Sequence, residues 1–241
     1  MYYYIFEQAK NNSFSRKLEA VKNIVISLGI AGETVQVSPA RTVTELVNMG
    51  IAKEYSTIVA VGSDRLVNQI ASIIHETNFV LGIIPIDASE KVTNIIGTAD
   101  MREACENLKH RKLDIVDLGM IEPSKYFITE AIINAPKTLQ AYLELDEAEL
   151  ETPFNSISIS SKMHIIINDH SKNQGFFYKL GKLLGNSSEN VYTSCFSSKK
   201  IRVETSDPLP VIVDGEIIAK TPLAIRLKPK ALKIIVGRAR I

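Results

Sequence analysis

Residues Thr57 to Ile86, TIVAVGSDRLVNQIASIIHETNFVLGIIPI, set the tightest limit on what this chain can fold into. A short apolar run, Ile58 to Val61, ends in Gly62-Ser63-Asp64. An amphipathic segment follows, with Leu66, Val67, Ile70, Ile73 and Ile74 on one helical stripe, and a second apolar run closes at Pro85. The pattern is strand, tight turn, helix, strand. It places a turn and a helix N-terminus at the carboxyl end of a strand, where α/β sheets bind anionic ligands.

The flanking sequence extends this alternation. Tyr2 to Phe6 reads as a first strand, and Asn11, Asn12 and Ser13 as a polar loop. Leu18, Val21, Val25 and Leu28 recur at helical spacing before Gly29, a natural stop. Val35 and Val37 suggest a short strand. Thr42 with Glu45 is a capping-box start, and Asp100 with Glu103 begins a helix closed by His110, Arg111 and Lys112. Such alternation predicts a mostly parallel sheet covered on both faces.

Near residue 113 the pattern changes. Leu113 to Ile121 and Tyr126 to Asn134 read as strands with almost no helix between. Ser156 to Ser160 alternates strictly, and Met163 to Ile167 follows a Ser161-Lys162 turn, a hairpin pattern. A helix with Phe176, Phe177, Leu180, Leu183 and Leu184 on one face interrupts. Strands resume at Ile201 to Glu204, Val211 to Val213, Ile217-Ile218, Leu223 to Leu227 and Leu232 to Val236. The prediction is α/β plus all-β: an α/β domain over 1–115 and an antiparallel β-sandwich over 116–236, with the tail 237–241 free to return to the first.

The 241 residues are 45% hydrophobic and 23% charged, a globular balance, and the net charge of +1 gives no bulk attraction to nucleic acid or an anionic membrane. Four scattered His and the distant Cys105 and Cys195 make neither a metal-ligand spacing nor a disulfide framework, which suits a reducing cytoplasm. The start MYYYIFEQ lacks the features of a signal peptide, and no segment approaches the roughly 18 apolar residues of a membrane span. Any contact with lipid is therefore expected to be peripheral, from the water side. A sheet-edge homodimer is left open.

A phosphate-cradling turn wants successive backbone N–H groups on one spot and glycines that let phosphate oxygens approach. At 62–69 only Gly62 is a glycine. Asp64 can hold a divalent ion or accept a proton, Asn68 stands one turn on, and Arg65 can pair with a phosphate or fill its space. The bland alternative is a plain strand-to-helix turn with Asp64 as N-cap.

Gly62-Ser63-Asp64-Arg65-Leu66-Val67-Asn68-Gln69 resembles the G-G-D-G-T-x-N-E signature of the diacylglycerol kinase catalytic-domain family, lipid kinases whose nucleotide domain is NAD kinase-like. Gly62, Asp64 and Asn68 match; Ser63, Arg65, Leu66 and Gln69 depart. The next family motif, P-x-G-T-x-N-D-F-A, keeps Pro85, with Asp87 for the glycine, Ala88 for the threonine and Glu90-Lys91 for Asn-Asp. Ser38 stands where the family often has a nucleotide-facing threonine, and the early N-P-x-S-G is not recognisable in Phe6 to Ser13. The run from Ser198 through Val213-Asp214-Gly215-Glu216 and Thr221-Pro222 to Val236 resembles the family's closing block, although Asp-Gly between strands is also a common hairpin turn. Asn168-Asp169-His170 is a poor fit to the family's D-G-x-L-D. Phe127-Ile128-Thr129-Glu130 resembles the A-L-N-E strand of NAD kinases, and Glu130 equally suits a solvent-facing strand position.

The resemblance implies transfer of the ATP γ-phosphoryl to a lipid hydroxyl, of diacylglycerol or similar, with Mg²⁺ bridging the phosphates. Gly62 and Ser63 would cradle phosphate, and Asp64 would be the general base or metal partner. Ser38, Asn68, Asp214 and Glu216 would face nucleotide or metal, with Arg65 and Glu130 as further candidates and the metal ligands unassigned. The lipid would lie among the apolar side chains of the β half. Missing glycines and polar residues leave two other readings: a catalytically inactive relative that binds nucleotide, lipid or a partner, and a NAD kinase-like enzyme resting on Glu130.

Overall fold

In the computed structural model, strands β1 (Tyr2–Phe6), β2 (Gly32–Gln36), β3 (Thr57–Gly62) and β4 (Val80–Pro85) pair in parallel in the order β2-β1-β3-β4. The structure describes residues 1–30, 32–146, 148–169 and 192–237. Every residue of β3 and β4 is buried, so both sheet faces are covered. The covering helices are α1 (Asn12–Ser27), α2 (Val43–Ala52), α3 (Asp64–Ile74), α4 (Glu90–Ile96) and α5 (Met101–His110). One face packs Phe14, Leu18 and Val21 of α1 and Cys105 and Leu108 of α5 against Tyr4, Phe6, Val59, Val61 and Ile84. The other packs Leu46, Val47, Leu66, Ile70, Val92 and Ile96, from α2, α3 and α4, against Tyr3, Ile5, Ile58, Ala60, Leu81 and Ile83.

Local signals account for the helix ends. Thr42 and Glu45 form the reciprocal capping box, and Asp100 caps α5 through the Glu103 N–H at 2.8 Å. Asn11 is not loop but the N-cap of α1, its Oδ1 accepting from Phe14 N at 2.9 Å. Helix α4 is unanticipated: Ser89 caps its start, and Gly97, at φ 79°, ends it in the left-handed conformation that glycine adopts freely.

The remaining strands are β5 (Leu113–Ile121), β6 (Lys125–Phe127), β7 (Glu130–Glu144), β8 (Glu149–Ser160), β9 (His164–Asp169), β10 (Tyr192–Ser197), β11 (Lys200–Thr205), β12 (Pro210–Val213), β13 (Glu216–Lys220) and β14 (Leu223–Ile235). Antiparallel pairing runs β10-β9-β8-β7, with β7 also pairing β11 and β12, and β12 pairing β13. The expected Ser-Ile alternation holds in β8: Ile157 and Ile159 are buried between half-buried serines. The N-terminal part is thus parallel α/β and the C-terminal part antiparallel.

Four strand readings change. Tyr126 to Asn134 breaks at Ile128-Thr129, because the Ile128 N–H donates to Asn68 Oδ1 at 2.8 Å instead of entering a ladder. Strands β7 and β8 extend over 135–144 and 149–155, where Pro136 and Pro153 suggest interruption; the register shifts between Asn134 and Leu139 and then resumes. The polar β10 carries no apolar alternation. The two strands expected at 223–227 and 232–236 are one, β14, bent at Lys230 (φ 50°), whose N–H donates to Asp117 Oδ1 at 2.7 Å. The helix expected over 176–184 lies outside the described residues.

The chain divides into two compact units. The first holds Met1–Leu118, Tyr126–Thr129 and the described residues from Pro229 onward; the second holds Gly119–Lys125 and Glu130–Lys228. Among the described residues no helix is long and apolar enough to cross a membrane.

The two cysteines differ sharply. Burial pushes the Cys105 thiol up to about 12, with the Asp100 and Glu106 carboxylates adding to the shift, whereas Cys195 is exposed on β10. Native protein at pH 8 should therefore titrate one thiol with an aromatic disulfide reagent, and the second only after unfolding. Rapid reaction of both in the native state would contradict the packing of α5.

Candidate functional site

The connection after β1 leaves through α1 on one sheet face, and that after β3 leaves through α3 on the other. The carboxyl ends of these adjacent strands therefore flank the switch point of the sheet, where open α/β folds bind ligands. The residues that meet there are Glu7, directly after β1, and Gly62-Ser63, at the end of β3.

Glu7 is the residue that reading the sequence missed. Its N–H donates to Val61 O at 3.0 Å, continuing the β1–β3 ladder one step past β1. Period-2 alternation puts its side chain on the face of Tyr3 and Ile5, the face that α3 covers. The residue is 3% exposed. Its Oε2 accepts from Ser63 N at 2.6 Å and its Oε1 from Ser63 Oγ at 3.0 Å, while Lys10 Nζ lies 3.5 Å from Oε1. The available signal was an acid in phase with a buried alternation at a strand's carboxyl end.

This contact explains Gly62. Its φ is not positive, so the glycine serves space and not an unusual turn. A Cβ there would lie 2.5 Å from Glu7 Oε2, 2.7 Å from Glu7 Cβ and 3.1 Å from Leu66 Cδ2. The close approach that a glycine allows a phosphate is taken by a side chain of the same chain.

Ser63, not Asp64, is the N-cap of α3; it makes no side-chain cap, and its hydroxyl donates to Glu7. Asp64 is the first helical residue, and its Oδ1 accepts from Ser89 N at 2.8 Å, tying the turn after β3 to the start of α4. Asn68 fixes Ile128. Arg65 is exposed. Asp87, in place of the family's glycine, keeps a left-handed backbone (φ 52°) and pairs with Lys17 Nζ at 2.5 Å. Ser38 follows β2, two strands from β3 and so roughly 9–10 Å across the sheet; its N–H and C=O exchange bonds with Arg41 at 3.1 and 3.0 Å.

Asp214, Glu216 and Glu130 belong to the second unit. Asp214 (φ 47°) and Gly215 (φ 83°) are the paired left-handed residues of a tight hairpin turn, and Glu216 opens β13 opposite Val213. Val211 and Ile212 pair with Ile133 and Ile132, so Asp214 and Glu130 each stand two residues beyond the last pair on neighbouring strands. Glu130 Oε2 accepts from Ser158 Oγ at 2.8 Å. Asp169, at the end of β9, is buried.

The Ser63 N–H, a backbone donor that an anion at this turn would use, is taken by Glu7, whose charge Lys10 partly offsets. For Mg²⁺, no three His, Cys, Asp or Glu side chains stand together as a metal site among the described residues.

A double-mutant cycle tests the contact. Gly62→Ala should cost about 1–3 kcal/mol of unfolding free energy, the range for overpacking. In a Glu7→Ala background the same change should cost less than half as much, read by urea denaturation. Equal costs in both backgrounds would mean that Glu7 does not pack on Gly62.

Residues 4–121 match the model of the diacylglycerol kinase catalytic domain. An uncharacterized protein of Synechocystis sp. is 23% identical, over 74% of this chain and 54% of that protein. The chain thus spans about half the length of this curated relative. A solved structure of a diacylglycerol kinase from Bacillus anthracis str. Sterne superposes with a TM-score of 0.75 at 14% identity, covering 99% of this chain and 98% of that one. A second structure from that organism, with the same activity assigned to it only provisionally, gives 0.78 at 16% identity over 100% and 97%. Identities this low speak to fold alone, and the fold is shared over the whole length. The match to the diacylglycerol kinase catalytic-domain model thus covers residues 4–121, just under half of the chain, and the superpositions extend the likeness in fold.

Proposed function

We propose that this lipid kinase-like protein does not transfer phosphate and serves as a binding module built on the kinase fold. The observation that carries the reading is the use made of the retained signature residues. Asp64 straps Ser89 and Asn68 straps the buried Ile128, so both are held by the demands of the backbone without any need for catalysis. The first unit is then a nucleotide domain by descent, the second the substrate or lipid domain by descent. Family membership raises the expectation of nucleotide and divalent-cation use; the donor set at the turn argues against it here.

Two measurements test the reading. Asn68→Ala should cost about 1–3 kcal/mol in chemical denaturation, since it leaves the buried Ile128 N–H without its acceptor. Assayed with ATP and Mg²⁺ on diacylglycerol, sphingoid bases and other lipid alcohols, the chain should give no product above background. Asp64→Asn is the control, because an amide keeps an acceptor for Ser89 and removes only the charge. Magnesium-dependent phosphorylation of a lipid hydroxyl by the wild-type chain, lost in Asp64→Asn, would reinstate the active-kinase reading with Asp64 as base or metal partner.

A further inference from the structure

We propose that Glu7 is the resident anion of the turn after β3: its carboxylate occupies the place open to a phosphate group and keeps the turn shut to phosphates and phosphate esters. The proposal rests on the reading above, in that the turn is not in use for phosphoryl transfer, and it names the residue responsible.

Three features converge. The position is the switch point between β1 and β3, at the N-terminus of the eleven-residue α3. The carboxylate takes both donors that Ser63 offers, one with each oxygen. Gly62 lies so close beneath Glu7 that a methyl group would collide with the carboxylate, the fit expected of a cradle around its anion. The occupant is covalently part of the chain and nearly fully buried, so it competes at an effective concentration that a dissolved phosphate at millimolar levels does not match. The competing ligands are defined by chemistry: inorganic polyphosphate or the phosphate tail of a nucleotide.

The test uses the full chain as wild type, Glu7→Gln and Glu7→Ala, titrated calorimetrically with tripolyphosphate and with ADP at low salt. Circular dichroism melts confirm that each variant is folded. Glu19→Gln, which removes a surface carboxylate paired with Lys22, controls for net charge. Both Glu7 variants should bind each ligand at least tenfold more tightly than wild type. Glu7→Ala should gain more than Glu7→Gln, because it removes bulk as well as charge, and the Ser63 amide resonance should move on titration. Glu19→Gln should not differ from wild type.

Equal affinities in wild type and folded Glu7 variants overturn the proposal, whether all bind or none does. A gain equal to that of Glu19→Gln also overturns it. Lipid phosphorylation by the wild type bears instead on the non-catalytic reading. Variants that bind without turnover support both.

Discussion

Burial of the parallel strands on both faces governs the rest of the first unit. Every residue of β3 and β4 is buried, so polar chemistry is confined to the strand ends. A charge carried into such a sheet needs donors in place, since an unpaired buried carboxylate costs several kcal/mol. Glu7 enters where two donors converge, the N–H and hydroxyl of Ser63 at the N-cap of α3. The demands meet in a single contact: the carboxylate needs Ser63, the helix N-terminus needs an acceptor, and their approach needs the missing Cβ of Gly62.

The same logic explains how a chain can keep a family's backbone while changing its polar chemistry. Asp64 joins the turn after β3 to the turn before α4, and Asn68 fixes the junction between β6 and β7. Asp87 holds a left-handed backbone without glycine, at a cost of about 1–2 kcal/mol, with Lys17 at its side chain. An exposed ion pair of this kind contributes about 0–1 kcal/mol, so Lys17 offsets that conformational cost at most in part. At these positions the polar side chains serve the backbone's shape, within the range 4–121 that matches the family model.

What the sequence disclosed follows from where the physics is local. Period-2 and 3.6-residue patterns are written in consecutive residues, so β1, β3, α3, the Thr42 capping box and the β8 alternation could all be read directly. Strand β7 could not, because Pro136 reads as a breaker until β8 pairs across it and absorbs the irregularity as a register shift. Nor could the break at Ile128, which depends on an acceptor sixty residues away. The candidate turn was visible at Gly62 for the same local reason. Its occupant was hidden, because Glu7 and Ser63 are separated by an entire α-β-α-β excursion.

A glycine after a buried strand records that something comes close to the backbone; it does not record what. Here the approaching group is a side chain: a Cβ at Gly62 would lie 2.5 Å from Glu7 Oε2. The identity of that group is written not at the glycine but at the end of the neighbouring strand, where an acid in phase with the buried face meets the Ser63 N–H.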